Sequence, residues 1–378
     1  MIIHYLVGSE NDKTSVGLKC IGQKDGFIAN DISCELVFFG FESSVNGSIE
    51  LEVPSSNFLK QYRQKLSIYQ AIEQYIAKKY DHVDYFYIRF LGSCKALNRI
   101  TKRFGQKILF EVQSNGVQEL PTLSSYKPYH KLGSWISYFQ FTLLPRFNEF
   151  LFRNRIFKNA RDVVFVSNEI ANEYSGSNKL IMANGITRSS ITNFVERDNS
   201  KQHWLFLKGS TMEVDYLGLD RLIKSFDEVL DCKLNIQLHL VGNFTENELI
   251  SYKRAYTSFY EYMNPAELKA LMQKCHLGIG SLSLHRINMY EASVLKVRQY
   301  FANGLLVLLG YHDTDISKNR DFNDFVFEVP NNKTLLPIDE INKWVAKQEK
   351  IDRCLIIDIC NKHLSWDGKI KKLLSQIN

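Results

Sequence analysis

A short stretch in the second half of the chain combines an acid, a base and a long amide at helical spacing. Glu291 stands just before a predicted helix start at Ser293, and Lys296 and Gln299 lie on one face of that helix. The N–H groups and the positive dipole end of a helix N-terminus bind anions. A carboxylate for sugar hydroxyls, amides for a diphosphate and a glutamine for a ribose would suit a nucleotide sugar. The alternative is a core helix with an incidental glutamate.

A glycine turn is predicted where the second half of the chain begins. Gly209 and Ser210 follow an apolar run, so their backbone N–H groups are candidates for binding a diphosphate. Lys208 and Arg221 would supply positive charge. Basic residues are common near loops, so an ordinary turn remains the alternative.

The first half also places polar residues after predicted strands. Gly17 ends the polar loop after the first strand, and Glu111 and Asn115 come at the end of the fourth. Glu111 stands where an orienting carboxylate would lie, and with Glu291 it is a candidate catalytic residue. Gly17 and Asn115 are expected on the side of a second substrate. A structural turn at Gly17 and a solvated loop after Glu111 are the alternatives.

Two turn motifs end the first half. Ser167 closes one predicted strand and begins a helix, and Asn184-Gly185 closes the next strand. Either motif alone is ordinary loop chemistry. Their succession at the end of a domain is a pattern, and Asn184 is assigned to the same side as Gly17.

These residues require a scaffold that brings strand ends together. Continuous apolar runs separated by amphipathic stretches are typical of parallel strands that are covered on both faces. Six runs in each half predict two doubly wound α/β domains, joined by a polar linker at 193–202. The predicted strands are 2–6, 36–39, 85–89, 107–112, 163–166, 179–182, 204–207, 237–241, 257–260, 277–279, 306–309 and 325–329.

Helices are also predicted from their start signals. Asn264, Pro265 and Glu267 combine an N-cap, a first-position proline and a first-turn acid. Residues 56–79 are predicted to form a long surface helix with one apolar stripe.

Composition excludes several classes of protein. The chain has 378 residues, 45% of them hydrophobic, and 47 basic against 41 acidic residues give a net charge of +6. Disorder, collagen and coiled coil are excluded, and the charge is too small and too dispersed for a dedicated nucleic-acid binder. No apolar run is long enough to span a membrane, and the N-terminus lacks a secretory signal. Seven cysteines without a CxxC pair are expected as buried thiols, so the protein is predicted to be cytoplasmic.

Aromatic residues make up 13% of the chain and cluster between residues 135 and 157. Leu143, Phe147 and Phe150 belong to an apolar helical stripe that is flanked by Arg146 and Arg155. One interpretation packs this stripe on the first sheet. The other lays it on an anionic inner membrane.

The motifs at the domain junction resemble those of the retaining glycosyltransferases with two Rossmann-type domains, known as group 1 or family 4. The resemblance spans nearly the whole chain. In that family a strand ending in serine precedes an Asn-Gly turn, as Ser167 and Asn184 do here. The second domain then opens on a glycine turn and a Gly-x-Asp-x-Leu helix start, matched by Gly209 and by residues 218–222.

The family signature is a pair of glutamates separated by seven residues, with a glycine five places on. Glu291 matches the first glutamate, Gln299 stands at the second and Gly304 matches the glycine. Residues 295–300 are also similar to the K-x-R-E-Y variant of enzymes of surface polysaccharide assembly. The resemblance implies that Glu291 lies by the donor sugar and that position 299 holds the ribose, where glutamine still forms hydrogen bonds.

The phosphate clamp of the family is not matched. Relatives carry an arginine and a lysine where this chain has Ser210 and Leu217. The diphosphate charge is therefore expected to be met by Lys296, Arg286 and Arg221, in that order.

The resemblance implies the GT-B fold, in which two Rossmann-like doubly wound domains face each other across a cleft. Residues 1–197 would bind the acceptor and residues 198–363 the nucleotide-sugar donor. The helix at about 364–378 would cross back to pack on the first domain. An amphipathic tail helix without that crossing is the alternative.

The implied function is transfer of a sugar from a nucleoside-diphosphate sugar to a hydroxyl of a glycan or lipid-linked glycan, with the anomeric configuration retained. This would serve surface polysaccharide, lipopolysaccharide or capsule synthesis, without a metal or other cofactor and without nucleic acid. Asp313-Thr314-Asp315 imitates a metal-binding D-x-D motif but is expected to be a loop. An inactive nucleotide-sugar binder and a nucleotide-sugar epimerase are the alternatives.

Overall fold

The chain forms two compact units. The computed structural model describes residues 1–8, 14–41, 48–51, 60–114, 135, 138–189, 194, 197, 200–209, 215–229, 235–348 and 350–377. Unit 1 comprises Met1–Ala183 together with Trp366–Asn378, and unit 2 comprises Asn184–Ser365. Asn115 and Ser210, both predicted site residues, lie outside the described residues.

The units divide before Asn184, whereas the sequence suggested a division at the polar stretch 193–202. The reason is hydrogen bonding. The Asn184 N–H donates to the Ser293 hydroxyl at 2.9 Å, and Ile186 forms a bridge with Ser365. The residues directly after the division are therefore bound into unit 2, although their sequence reads as the end of the first half.

Unit 1 is built on a seven-stranded parallel sheet with the order β3-β2-β1-β4-β5-β6-β7. Its central strands are buried on both faces, which explains their continuous apolar runs. The strands are β1 (Ile2–Gly8), β2 (Ser33–Gly40), β3 (Ser48–Glu50), β4 (Tyr85–Arg89), β5 (Ile108–Val112), β6 (Asp162–Phe165) and β7 (Lys179–Ile181).

Unit 2 has a six-stranded parallel sheet with the order β10-β9-β8-β11-β13-β15, and a separate pair of short strands, β12 and β14. Every strand predicted from the sequence is present, whereas β3, β12 and β14 were not predicted. The strands are β8 (Gln202–Lys208), β9 (Ile236–Gly242), β10 (Thr257–Tyr260), β11 (Leu277–Ile279), β12 (Glu291–Ala292), β13 (Leu306–Leu309), β14 (His312–Asp313) and β15 (Val326–Glu328).

Several helices begin where the sequence supplies capping groups. The Thr14 side chain accepts from the Gly17 N–H at 2.9 Å, and the predicted start at Asn264 is confirmed by a capping box with Glu267. The helices are α1 (Ser15–Ile28), α2 (Lys60–Lys79), α3 (Lys95–Phe104), α4 (Leu144–Asn159), α5 (Asn168–Asn172), α6 (Leu219–Asp227), α7 (Glu246–Tyr252), α8 (Pro265–Lys274), α9 (Leu295–Ala302), α10 (Ile338–Gln348), α11 (Arg353–Leu364) and α12 (Trp366–Ile377).

The last helix, α12, packs on α1 of unit 1. A Cβ atom at Gly26 would lie 3.0 Å from the Trp366 backbone, so the glycine permits the close approach of the two helices. Arg161 donates to the Ile377 carbonyl at 2.9 Å. The end of the chain thus completes the core of the unit in which the chain begins. Of the helices described, none is long and apolar enough to cross a membrane.

Candidate functional site

The order of the unit 2 sheet reverses between its central strands β8 and β11. Open parallel sheets bind ligands outside the carboxyl ends of the strands at such a reversal. The Tyr300 hydroxyl of α9 accepts from the Leu207 N–H and donates to the Ile279 carbonyl, both at 3.2 Å. Tyr300 therefore fixes α9 against the two strands that flank the reversal.

Lys208 and Gly209 stand at the carboxyl end of β8. The Lys208 ammonium is buried and lies 2.6 and 2.8 Å from the two carboxylate oxygens of Glu248. A Cβ atom at Gly209 would meet no other atom within 4 Å, so the space beside its backbone is open. The charge of Lys208 is balanced internally, whereas Gly209 leaves room for a ligand.

A small pocket lies beside this end of β8, next to the start of α6. It combines apolar side chains with acidic groups, of which Asp220 is paired with Arg286 and Glu248 with Lys208. Its lining residues are Phe206, Lys208, Asp215, Leu217, Leu219, Asp220, Glu248 and Tyr252.

Two of the three predicted phosphate-binding cations already bind other groups of the protein. Arg286 forms a bidentate ion pair with Asp220 at 2.7 and 2.8 Å, and these hydrogen bonds raise its pKa. Arg221 is buried and donates to three backbone carbonyls. It therefore holds loops together and does not present its charge to a ligand. The three carbonyls belong to Thr334, Leu282 and Pro330.

Lys296 differs from both arginines. Its ammonium donates to the Leu207 carbonyl at 3.2 Å and lies 4.5 Å from the centroid of the Phe206 ring. No carboxylate in the described part of the chain forms an ion pair with it, and burial lowers its pKa to about 7. Lys296 is thus a cation at the sheet reversal that an anionic ligand would stabilise.

The helix that carries Lys296 begins later than predicted. Its first residue is Leu295 and its N-cap is Val294, whose side chain forms no capping hydrogen bond. Ser293 lies before the helix, where its hydroxyl and carbonyl accept from the Asn184 N–H and side-chain amide at 2.9 and 2.5 Å. Asn184, expected with the acceptor residues, is therefore held against the predicted donor residues.

Glu291 and Gln299 flank this helix start. Glu291 is partly buried in β12, where it pairs with His312 of β14, so a short sheet that the sequence did not reveal fixes its backbone. Gln299 is exposed one turn beyond Lys296. The structure brings Glu291, Ser293, Lys296 and Gln299 onto one continuous segment beside Tyr300.

A buried ion-pair network under α9 was missed by sequence reasoning. The Arg298 guanidinium binds both oxygens of Asp313, donates to Asp315 at 3.0 Å and donates to the Asn184 carbonyl at 3.0 Å. The D-x-D sequence thus holds an arginine. The sequence spacing could have indicated a buried position for Arg298. It lies two residues from Lys296 and therefore on the opposite face of the helix, which is buried.

Glu111 of unit 1 is fully buried, so it does not occupy a position that a substrate could contact. Its carboxylate lies 2.8 Å from the Lys19 ammonium and 2.6 Å from the Gln23 amide nitrogen, and accepts from the Tyr5 hydroxyl at 2.7 Å. Burial raises the pKa of the Glu111 carboxyl, but the charges of Lys19 and Arg89 outweigh burial and lower it. Glu111 is a core residue because β5 directs it beneath α1, which the sequence position alone did not reveal.

Gly17, the other described residue that was predicted in unit 1, lies in the first turn of α1. Its N–H donates to the Thr14 hydroxyl. That N–H is therefore already satisfied by Thr14, the N-cap residue of α1.

Solved structures share this architecture over the whole chain. A glycosyltransferase from Rickettsia africae ESF-5 has a TM-score of 0.64 at 14% identity, covering 100% of this chain and 97% of the other. The lipopolysaccharide outer core galactosyltransferase WaaB has a TM-score of 0.61 at 13% identity, covering 100% and 99%. The chain has the GT-B fold. No family model and no curated protein matches the sequence of this chain.

Another GT-B neighbour was solved with ligands. An alpha-glucosyltransferase in complex with UDP-glucose and DNA containing an abasic site has a TM-score of 0.56 at 11% identity, covering 100% of this chain and 99% of that one. At such identities the likeness shows the fold alone. The chemistry of this GT-B chain must therefore be argued from its own residues.

Metal ligands do not cluster in the part of this GT-B chain that the structure describes. No group of three or more His, Cys, Asp or Glu side chains there could hold a metal ion. The D-x-D carboxylates are instead bound to Arg298.

Proposed function

We propose that the protein is a retaining glycosyltransferase that uses a nucleoside-diphosphate sugar. The acceptor would be a hydroxyl of a glycan or lipid-linked glycan in surface polysaccharide, lipopolysaccharide or capsule synthesis. The observation that carries the proposal is Lys296, a cation without a carboxylate partner among the described residues, placed where a parallel sheet binds ligands. The glycosyltransferase neighbours with the same fold support it.

The donor phosphates would lie between Lys296, the amides at the uncapped start of α9 and the backbone beside Gly209. Helix amides and an ammonium together stabilise a diphosphate. The same groups would stabilise the negative charge that develops on the leaving diphosphate during transfer, without a metal.

The sugar and the ribose would be held by the two side chains that flank Lys296. Glu291 would accept hydrogen bonds from the donor sugar and orient it, and Gln299 would bond the ribose hydroxyls. Glu291 would not act as a general acid. Ser293 and Asn184 would act indirectly, by fixing the segment that leads into α9.

The donor is identified by thermal shift with a panel of nucleotide sugars, because a bound ligand stabilises the folded state. A stabilising sugar is then tested for transfer in the presence of EDTA, which also tests independence of metal. Glu291→Ala should retain the fold but lose transfer. Lys269→Ala, at an exposed position on α8, is the matched surface control. Ordinary turnover by Glu291→Ala would rule out the assigned role.

An inactive nucleotide-sugar binder is the second candidate. Gln299 in place of the family glutamate, and Ser210 and Leu217 in place of the clamp cations, favour it. A stabilising nucleotide sugar that is neither transferred nor hydrolysed, against a range of glycan and lipid-linked acceptors, would establish binding without turnover.

We further propose that the enzyme works in the cytoplasm at the inner face of a membrane. A lipid-linked acceptor would be presented there, and nucleoside-diphosphate sugars are cytoplasmic metabolites.

A further inference from the structure

Helix α4 of unit 1, with the π-helical turn Phe139–Leu143 before it, carries a stripe of exposed apolar side chains. The exposed fractions are 48% for Phe139, 41% for Leu143, 59% for Phe147 and 86% for Phe150. The spacing of four, four and three residues places all four side chains on one face of a helix.

The opposite face of α4, together with the C-terminal end of the helix, anchors it in unit 1. Ile156 and Phe157 are fully buried, and Asn148 and Glu149 are buried as well. The stripe therefore faces away from the core, so the sequence-based interpretation that packs Phe147 and Phe150 on the first sheet is wrong. An exposed row of large apolar groups marks an interaction surface.

The exposed charged residues of α4 have one sign. Arg146, Arg155 and Lys158 are exposed on α4. The one acidic residue of the helix, Glu149, is buried and accepts from the Ser93 N–H and hydroxyl at 2.6 and 2.9 Å. The exposed surface of α4 is thus apolar and cationic and carries no carboxylate of its own.

We propose that this face of α4 docks on an anionic lipid bilayer, with its axis in the plane of the interface. Phe147 and Phe150 would enter the boundary between headgroups and acyl chains, and the three cations would bind lipid phosphates. The inference names the surface and the lipid chemistry of the membrane association in the proposed function, and rests on it.

Charge complementarity favours a bilayer over other occupants. A second copy of this chain, packed symmetrically through the same stripe, would bring two sets of the cations Arg146, Arg155 and Lys158 into one interface without an exposed carboxylate from α4 to balance them. A nucleic acid would engage the cations but would leave Phe150 in water. A bilayer satisfies both the apolar groups and the charges.

The test is co-sedimentation of the full chain with vesicles, without any nucleotide sugar. We expect binding to vesicles of phosphatidylcholine mixed with phosphatidylglycerol, and much weaker binding to phosphatidylcholine alone. Phe147→Ser with Phe150→Ser should weaken binding roughly tenfold or more through loss of buried apolar area. Arg146→Gln with Arg155→Gln and Lys158→Gln should weaken it on the order of a hundredfold, on anionic vesicles only.

The matched control is Ile250→Ser with Tyr262→Ser, which removes two apolar groups of unit 2 that are 77% and 74% exposed. This variant should bind vesicles like the wild type. Equal loss in the control, or no loss in the phenylalanine variant, overturns the proposal. So does binding of duplex DNA in preference to vesicles, or a dimer in solution that Phe150→Ser dissociates. Vesicle binding without glycosyl transfer would contradict only the proposed function.

Discussion

Two lysines near the centres of the two sheets have opposite surroundings. Lys19 of unit 1 is buried against Glu111, and Gln23 and Tyr5 complete the hydrogen bonding of that carboxylate. Lys296 of unit 2 has a backbone carbonyl and the face of an aromatic ring as neighbours, without a described carboxylate. A buried charge that the fold has already neutralised supports the fold. One that the fold leaves without a counter-charge is available to a ligand.

The largest effect on stability is expected from breaking the neutralised pair. Glu111→Leu leaves the Lys19 ammonium buried without a counter-charge and should lower the free energy of unfolding by about 3–5 kcal/mol. Urea denaturation measures the loss. Lys19→Met combined with Glu111→Leu should recover much of it, and a double variant as unstable as the single one would show that the pair is not the cause.

Lys296→Met should weaken donor binding without lowering stability, the reverse of what is expected for Glu111→Leu. Loss of a charge-assisted contact costs about 1.5–3 kcal/mol, so affinity for the nucleotide sugar should fall by roughly ten- to a hundredfold. The free energy of unfolding should stay constant or rise, because an uncompensated charge is removed. Titration calorimetry measures the affinity and urea denaturation measures the free energy of unfolding, with Lys269→Met as control. Unchanged affinity would place the donor elsewhere.

The lowered pKa of Lys296 predicts a dependence on pH. Both phosphates of a nucleotide sugar stay ionised above neutrality, so binding should follow the protonation of Lys296. Affinity should be constant below its pKa of about 7 and fall by up to about tenfold per pH unit above it. Lys296→Arg should abolish the fall. A wild-type affinity that is level up to pH 9 would contradict the assignment.

The lowered pKa of Lys296 also determines whether the stability of the folded chain rises or falls with pH. The unfolded chain keeps Lys296 protonated up to its ordinary pKa of 10.5, whereas the folded chain loses the proton near 7. The unfolded state therefore binds more protons between these values, and stability relative to Lys296→Met should rise with pH across that window.

The smallest effect is expected from making Lys296 resemble Lys19. Gln299→Glu places a carboxylate three residues along the same helix, in an exposed position. Such a pair is worth about 0.2–0.5 kcal/mol, which corresponds to less than about half a pKa unit. The pH at which donor affinity begins to fall should move upward by that amount. An unchanged pH dependence would show that the two side chains do not face each other.

The fold was largely predictable because parallel strands covered on both faces leave long apolar runs. The missed strands β3, β12 and β14 are two or three residues long and contain no run of apolar residues. Glu111 was misassigned because a carboxylate after an apolar run gives the same sequence pattern whether its side chain faces a ligand or the helix above it. Arg221 and Arg286 were assigned to phosphate because the partners that engage them are distant in sequence or lie in loops without a pattern.

The sequence by itself determined the two doubly wound sheets and the aromatic surplus, and it predicts the segment from Glu291 to Gln299 as the place for chemistry. These follow from local apolarity and from spacing along one helix. Only the tertiary structure decided which charges are free to act. It bound Asp313 and Asp315 to Arg298, turned Phe147 and Phe150 outward and left Lys296 without a described carboxylate. Charge balance depends on which distant groups meet, because the electrostatic energy falls with distance in space and not along the chain.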